Sequence, residues 1–256
     1  MLVLFDIDGT LLRTDGAGLR AMEDAGRDLF SASFHYEGIE TAGRLDTLIW
    51  KDLARLNGIE DSPEIHERFR QRYHEHLARR LEADGPARLL PGVRELVMAL
   101  VNHNRGAQTS GGSGGGHSGG GGSGHSGGVS IGLLTGNYPE TGRLKIASAG
   151  LEPDVFLCNA WGCEGASRRD LPPIAMRRHR EILGRAIEPQ EVVIIGDTPH
   201  DIDCARAHGC RSLAVATGAF ELEDLRGHQP DIAVEDLADG EAIMGWLMQS
   251  SAVNTA

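Results

Sequence analysis

The chain has 256 residues, 40% hydrophobic and 24% charged, with a formal net charge of −12 and a pI near 5.3. This length and composition suit one large α/β domain, or a core with a modest second domain, rather than a disordered or fibrous chain. The acidic balance argues against nucleic acid as the main partner, but not against a small phosphorylated ligand, because a local cation reverses the field inside a cleft.

The first residues run straight into an apolar stretch with no basic lead or small-residue cleavage site, so no secretory signal is expected. No uncharged apolar run is long enough to span a bilayer. Cys158, Cys163, Cys204 and Cys210 have neither CxxC spacing nor the density of a disulfide scaffold, and are expected as reduced, mostly buried thiols. Together these features predict a soluble cytoplasmic protein.

In chain order, the first predicted strand covers residues 2–5 and runs into Asp6-Ile7-Asp8-Gly9-Thr10. Two carboxylates one residue apart, followed by a glycine that permits a sharp turn, would share a face if extension continued through Ile7. Such a pair needs a cation or a proton between its members, which points to metal binding or to covalent chemistry with acid–base help. Residues 14–89 show no convincing strand. Leu19, Met22 and Leu29 form one helical pattern, and Leu45, Leu48, Ile49, Leu53 and Leu56 form a second. A third, over residues 62–81, opens with Ser62-Pro63-Glu64, a good helix start. This stretch is expected as a separate helical unit, with residues 1–13 and 90–256 forming the core.

A helix is predicted over residues 93–101. Residues 111–128 contain only glycine, serine and histidine, and are expected as a flexible coil with a span of roughly 25 Å. The coil would enter the next strand at its amino end, and His117 and His125 on so loose a chain make a poor chelate. The second core strand, residues 130–134, ends in Thr135-Gly136-Asn137. The hydroxyl and unhindered amides there can donate to phosphoryl oxygens. A helix over residues 140–149 follows. Arg168 and Arg169 then offer a fixed cation just before a helix over residues 174–183, and the spacing to Leu171 and Ala175 favours Arg168 as the inward one.

The strand over residues 192–195 ends in Gly196-Asp197-Thr198-Pro199-His200-Asp201, with a helix over 201–208 and further strands over 213–216 and 232–234. Alternating strands and helices predict a Rossmann-like parallel sheet with helices on both faces, and a ligand site beyond the carboxyl ends of the strands. There Asp197 and Asp201 would meet Asp6 and Asp8. Several hard oxygen ligands suit Mg2+, which keeps part of its water shell and binds substrate phosphate.

Four elements in this order, DIDGT at Asp6 to Thr10, Thr135, a basic residue at Arg168 or Arg169, and GDTPHD at Gly196 to Asp201, resemble the haloacid dehalogenase-like hydrolase superfamily. The helical stretch resembles the cap domain of its phosphoglycolate phosphatase-like branch. Gly43-Arg44-Leu45-Asp46 resembles that branch's substrate-specificity loop, with Arg44 as the candidate for an anionic group beyond the phosphate. The chain departs from the family where many relatives have Lys-Pro in the third motif. The resemblance implies that Asp6 attacks phosphorus to form an aspartyl-phosphate and that Asp8 serves as acid and then base. It implies magnesium held by Asp6, the Asp8 carbonyl and Asp197, with Asp201 orienting the metal's shell. Thr135, Gly136, Asn137 and the arginine would bind the phosphoryl group.

The expected function is hydrolysis of a small phosphate monoester; phosphoglycolate, a sugar phosphate and a nucleotide monophosphate all fit. A dehalogenase needs neither metal nor an acid at Asp8. A phosphonatase needs a Schiff-base lysine, and Lys51, the lysine of the helical stretch, lies in a helical pattern that reads as solvated. A sugar phosphomutase and a non-catalytic phosphate-binding module are the alternatives.

Overall fold

In the computed structural model, which describes residues 1–109 and 128–249, seven strands form: β1 (Leu2–Phe5), β2 (Leu12–Arg13), β3 (Arg88–Leu89), β4 (Ser130–Leu133), β5 (Val192–Gly196), β6 (Arg211–Val215) and β7 (Ile232–Val234). Five of them make a parallel sheet of order β4-β1-β5-β6-β7. The chain leaves β1 to one side for β4 and crosses to the other for β5. The carboxyl end of β1 is therefore the switch point at which such sheets bind ligands.

Both faces of the sheet are covered, which is why its central strands are apolar at nearly every position. Val3, Phe5, Ile131, Leu133, Val193 and Ile195 face one layer. That layer is built from α4 (Val93–Thr109), α5 (Pro139–Ser148) and α9 (Gly240–Met248). Leu2, Leu4, Val192 and Ile194 face the other, where α6 (Leu171–Leu183) and α7 (Pro199–His208) contribute Leu171, Ile174, Ala175, Cys204 and Ala205. Each fully buried aliphatic side chain is worth about 1.5–3 kcal/mol. The short α8 (Leu222–Gly227) places Leu225 against Ile202 and Ala214.

Between β2 and β3 lie α1 (Ala17–Leu29), α2 (Asp46–Leu56) and α3 (Pro63–Ala83). Their shared core is aromatic, with Trp50 and Phe69 4.3 Å apart at their centroids. Ser62 caps α3 by accepting from the Ile65 amide, with Pro63 in the first turn. β2 and β3 pair antiparallel, Leu12 with Leu89 and Arg13 with Arg88, so the entry to and exit from the helical insert lie side by side. This two-residue ribbon was not expected; strands so short show no alternation for a sequence pattern to reveal.

Most predicted core strands and helices form near the predicted limits, but α4 runs to Thr109, well past the predicted end at residue 101, and β6 begins at Arg211 rather than residue 213. α6 begins at Leu171 instead of residue 174, because a 3-10 turn over Arg168–Asp170, closed by a reciprocal Ser167–Asp170 cap, leads into it. The glycine-rich stretch, with His117 and His125, lies outside the described residues except for Gly128. The Gly128 carbonyl accepts from the Met1 ammonium at 3.4 Å, at the amino ends of β1 and β4. Cys158, Cys204 and Cys210 are buried free thiols, and Cys163 is an exposed one. Among the described residues no helix is long and apolar enough to cross a membrane.

Candidate active site

The ends of β4, β1 and β5 deliver Thr135, Asp6 and Asp197 to a single cavity of about 370 Å3. The helical insert supplies its far wall through Leu19, Met22, Ile49 and Tyr73. The two parts meet closely. The Asp46 amide donates to the Gly136 carbonyl at 2.8 Å, and a Cβ at Gly136 would run into the Arg44 carbonyl.

Asp6 and Asp8 both line the cavity, but not as alternate residues of an extended strand. Extension stops at Phe5, and the amides of Thr10, Leu11 and Leu12 all turn back onto the Ile7 carbonyl at 3.3, 2.9 and 3.1 Å. Gly9 follows at φ 81°, a value that suits glycine, and any Cβ there would strike the Asp197 carboxylate. Asp6 is thus buried with Asp197 and Asp201, and one ligand atom from each lies within 4.8 Å of the others. Asp8 turns toward the cavity with its side chain 44% exposed.

Arg168 balances the buried cluster. Its Nη2 stands 2.9 Å from Asp6 Oδ2 and 2.6 Å from Asp201 Oδ1, and its Nη1 donates to the Gly43 carbonyl at 3.1 Å. Its Nε is buried and, among the described residues, has no partner. Asp201 spends its other oxygen on the Thr198 hydroxyl (2.7 Å) and amide (3.2 Å), capping α7. Asp197 accepts from the Thr10 hydroxyl at 3.0 Å. One arginine does not compensate three buried carboxylates. Burial pushes Asp6 up to about 6, opposed by Arg168 and assisted by Asp201. Burial, with Asp6 and Asp201 as neighbours, holds Asp197 well above the usual carboxylate range.

On the other side, Asp8 Oδ2 accepts from Lys145 Nζ at 2.6 Å and from Asn137 Nδ2 at 2.8 Å. Asn137 also donates to Thr135 Oγ1 at 2.9 Å and accepts from Lys145 at 2.7 Å. Thr135 therefore keeps its own O–H to donate. Asp46 is buried nearby with the Tyr138 amide on its Oδ2 at 3.1 Å. Burial raises it to about 7, partly offset by the Lys145 charge.

Of the predicted residues, Asp6, Asp8, Thr135, Gly136, Asn137, Arg168 and Asp197 line the cavity, and Asp201 stands directly behind Arg168. Arg169 does not enter; its guanidinium makes a paired contact with Asp203 on the surface, at 2.6 and 2.7 Å. Arg44 borders the cavity, but its guanidinium is engaged by Asp52 at 2.7 Å and the Glu40 carbonyl at 3.2 Å. The Asn137 side chain serves Asp8, Thr135 and Lys145, and its backbone amide points at Thr135 Oγ1 at 3.4 Å. Lys145 and Tyr73 were not expected here, and Asp46 was expected only as the last residue of the Gly43–Asp46 loop, with no role of its own. The signal for Lys145 was compositional: of 25 basic residues only Lys51 and Lys145 are lysines.

Residues 168–240 match a family model described as HAD-hydrolase-like. A curated relative, named as the pyrophosphatase PpaX of Caldanaerobacter subterraneus subsp. tengcongensis, is 32% identical over 98 residues. That match takes in 37% of this chain and 44% of the relative, so the chain spans less than half the length of the curated protein it matches. Among solved structures, a hydrolase from Pseudomonas syringae superposes with TM-score 0.63 at 19% identity, over 96% of this chain and 97% of the other. A predicted phosphoglycolate phosphatase from Haemophilus somnus 129pt gives 0.62 at 18% identity, over 95% and 97%. CbbY from Rhodobacter sphaeroides, in complex with phosphate, gives 0.63 at 19% identity, over 93% and 95%. Over residues 168–240 the chain is thus similar in sequence to HAD-like hydrolases, and over nearly its whole length it shares the fold of these solved structures.

Proposed function

We propose that the chain is a magnesium-dependent phosphatase that hydrolyses a small phosphate monoester through a covalent aspartyl-phosphate on Asp6. The observation that carries this reading is the separation of the two aspartates of the first motif. Asp6 is held rigidly against Arg168 in a buried carboxylate cluster, as a nucleophile should be. Asp8 faces the cavity, as an acid that must reach a leaving group should.

The donor set fits a hard divalent cation: three carboxylates converge, their charge exceeds what Arg168 neutralises, and two of them are pushed toward protonation. Asp6, Asp197 and the Asp8 carbonyl would hold magnesium, and Asp201, whose oxygens serve Arg168 and Thr198, would orient the set. When bound, the ion neutralises charge on the phosphoryl group.

The residues supply the rest. A carboxylate oxygen of Asp6 bonds to phosphorus while the ester P–O bond breaks, its electron pair leaving with the alcohol oxygen. Asp8 gives that oxygen a proton, then takes one from the water that attacks phosphorus and frees Asp6. The Thr135 hydroxyl and the unpartnered Nε–H of Arg168 are donors for phosphoryl oxygens.

The cavity size supports a small metabolite as substrate. CbbY has been solved with xylulose-(1,5)bisphosphate, and phosphorylated sugars are therefore the first class to test here. Recognition of a second anionic group by Arg44 would require its guanidinium to leave Asp52. We therefore place selection of the ester chiefly with the apolar wall of Leu12, Leu19, Met22 and Ile49.

The test is phosphate release from a panel of small esters, with magnesium and with chelator. Release that needs magnesium and disappears in Asp6→Asn is the expected outcome. Activity in Asp6→Asn near that of the wild type overturns the mechanism. Isomer interconversion with little phosphate release replaces it with a phosphomutase.

A further inference from the structure

Lys145 is 4% exposed on α5, and its ammonium is enclosed by polar groups from both parts of the molecule. Its Nζ lies 2.6 Å from Asp8 Oδ2 and 2.7 Å from Asn137 Oδ1. On the insert side, a Cβ at Gly18 would touch both Lys145 Nζ and the Tyr73 hydroxyl at 3.6 Å, so α1 and α3 close over the ammonium. Burying a lysine costs several kcal/mol unless its partners repay it, and an apolar side chain of the same length would fill the space without that cost. A purely packing role does not account for the charge.

The geometry of Asp8 does. Its carboxylate follows the end of β1 in a turn and is 44% exposed to the cavity, where it would otherwise rotate freely about its last torsion. Two donors, Lys145 and Asn137, converge on Oδ2. Among the described residues no donor reaches Oδ1. Asn137 is itself oriented, because its carbonyl oxygen accepts from Lys145 while its amide donates to Asp8 and Thr135. The clamp is therefore a closed ring of Lys145, Asn137 and Asp8 that leaves one carboxylate oxygen unengaged.

We propose that Lys145 is a positioning residue for phosphoryl transfer: with Asn137 it pins Oδ2 of Asp8, so that Oδ1 alone is presented to the leaving-group oxygen. The inference rests on the phosphatase reading above. In the step concerned, Asp6 bonds to phosphorus, the ester P–O bond breaks, and the proton on Asp8 Oδ1 passes to the departing oxygen. Misplacing the acid by even a fraction of its hydrogen-bond reach forfeits much of this assistance.

The consequence is a dependence on the leaving group that a structural lysine would not produce. An alkoxide needs the proton in order to leave, whereas nitrophenolate is stable as an anion and does not. We would measure kcat/KM of the full chain with magnesium for p-nitrophenyl phosphate and for the alkyl phosphate it hydrolyses best. The constant kcat/KM reports only through the first irreversible step, so the later base role of Asp8 does not enter. In Lys145→Met the alkyl ester is expected to lose about 10²-fold and the nitrophenyl ester less than about 3-fold. The ratio of the two constants does not depend on how much of the variant is folded. Lys145→Gln, which keeps a donor near Oδ2, is expected to fall between, and carries the comparison if the methionine variant does not fold. Equal losses on both esters, or no loss on either, overturn the proposal. A wild-type chain that releases phosphate from no ester overturns the phosphatase reading instead.

Discussion

Arg168 and Arg169 are neighbours in the chain, yet one is buried between Asp6 and Asp201 and the other lies on the surface with Asp203. Their substitution should differ accordingly. Arg168→Ala leaves two buried carboxylates without their cation, and removing one partner of a buried pair typically costs about 3–5 kcal/mol. Urea unfolding near neutral pH should show a loss of that order, with phosphate release abolished. Arg169→Ala should leave both the midpoint and kcat/KM at wild-type values, because an exposed pair contributes little. If Arg169→Ala alone abolishes activity, the inward residue has been misassigned. The motif spacing had favoured Arg168, and the 3-10 turn over Arg168–Asp170 explains the outcome: successive residues in so tight a turn point in different directions. Lys145 was less readable. The buried face of α5 is Thr141, Gly142, Lys145 and Ile146, with no apolar stripe to mark it, so a lysine there looks like any solvated helix lysine. Asp46, at the start of α2, likewise reads as an ordinary acidic helix start. Only the approach of the insert to Gly136 and Tyr138 buries it.

The elements that sequence patterning resolved best are those buried on both sides. β1, β4 and β5 are short apolar runs ending in Asp6, Thr135 and Gly196-Asp197, and the position of each polar residue at a strand end was enough to predict that they converge. α7 was expected from residue 201 and begins two residues earlier, because Thr198 and Asp201 form a reciprocal cap with Pro199 in the first turn. The β2–β3 ribbon was hidden for the opposite reason. Two residues per strand carry no period, and their pairing joins segments on either side of the whole helical insert. Arg44 is a case in between. The motif made it a candidate for an anionic group beyond the phosphate, but its partner Asp52 sits nearly two turns into α2, and only the folded path of residues 43–46 brings the two together.

At the scale of the molecule, the amino ends of the strands and their carboxyl ends have separate tasks. Gly128, where the glycine-rich stretch rejoins the described chain, meets Met1 at the amino ends, while every group of the candidate site lies beyond the carboxyl ends. Replacing residues 111–127 by a shorter glycine–serine linker should therefore leave kcat/KM unchanged within about twofold. A large loss would mean that the stretch reaches the site. The charge arrangement at the carboxyl ends makes a second, more demanding prediction. Burial raises Asp6 from its ordinary 3.8 to about 6, so in the metal-free protein the folded state holds a proton that the unfolded chain has released. The stability this contributes is complete below pH 3.8 and is lost as pH rises through about 6; Asp197, also raised, acts in the same direction. A divalent cation competes with those protons, so its binding strengthens over the range in which the metal-free protein weakens. Thermal melts of chelator-stripped protein should show a larger magnesium-induced rise in Tm at about pH 8 than at about pH 5, equivalent to about 2.7 kcal/mol when magnesium exceeds its Kd a hundredfold. Asp197→Asn should remove most of the difference between the two pH values. An equal rise at both, or none at either, would mean that Asp6, Asp197 and Asp201 are not where the ion binds.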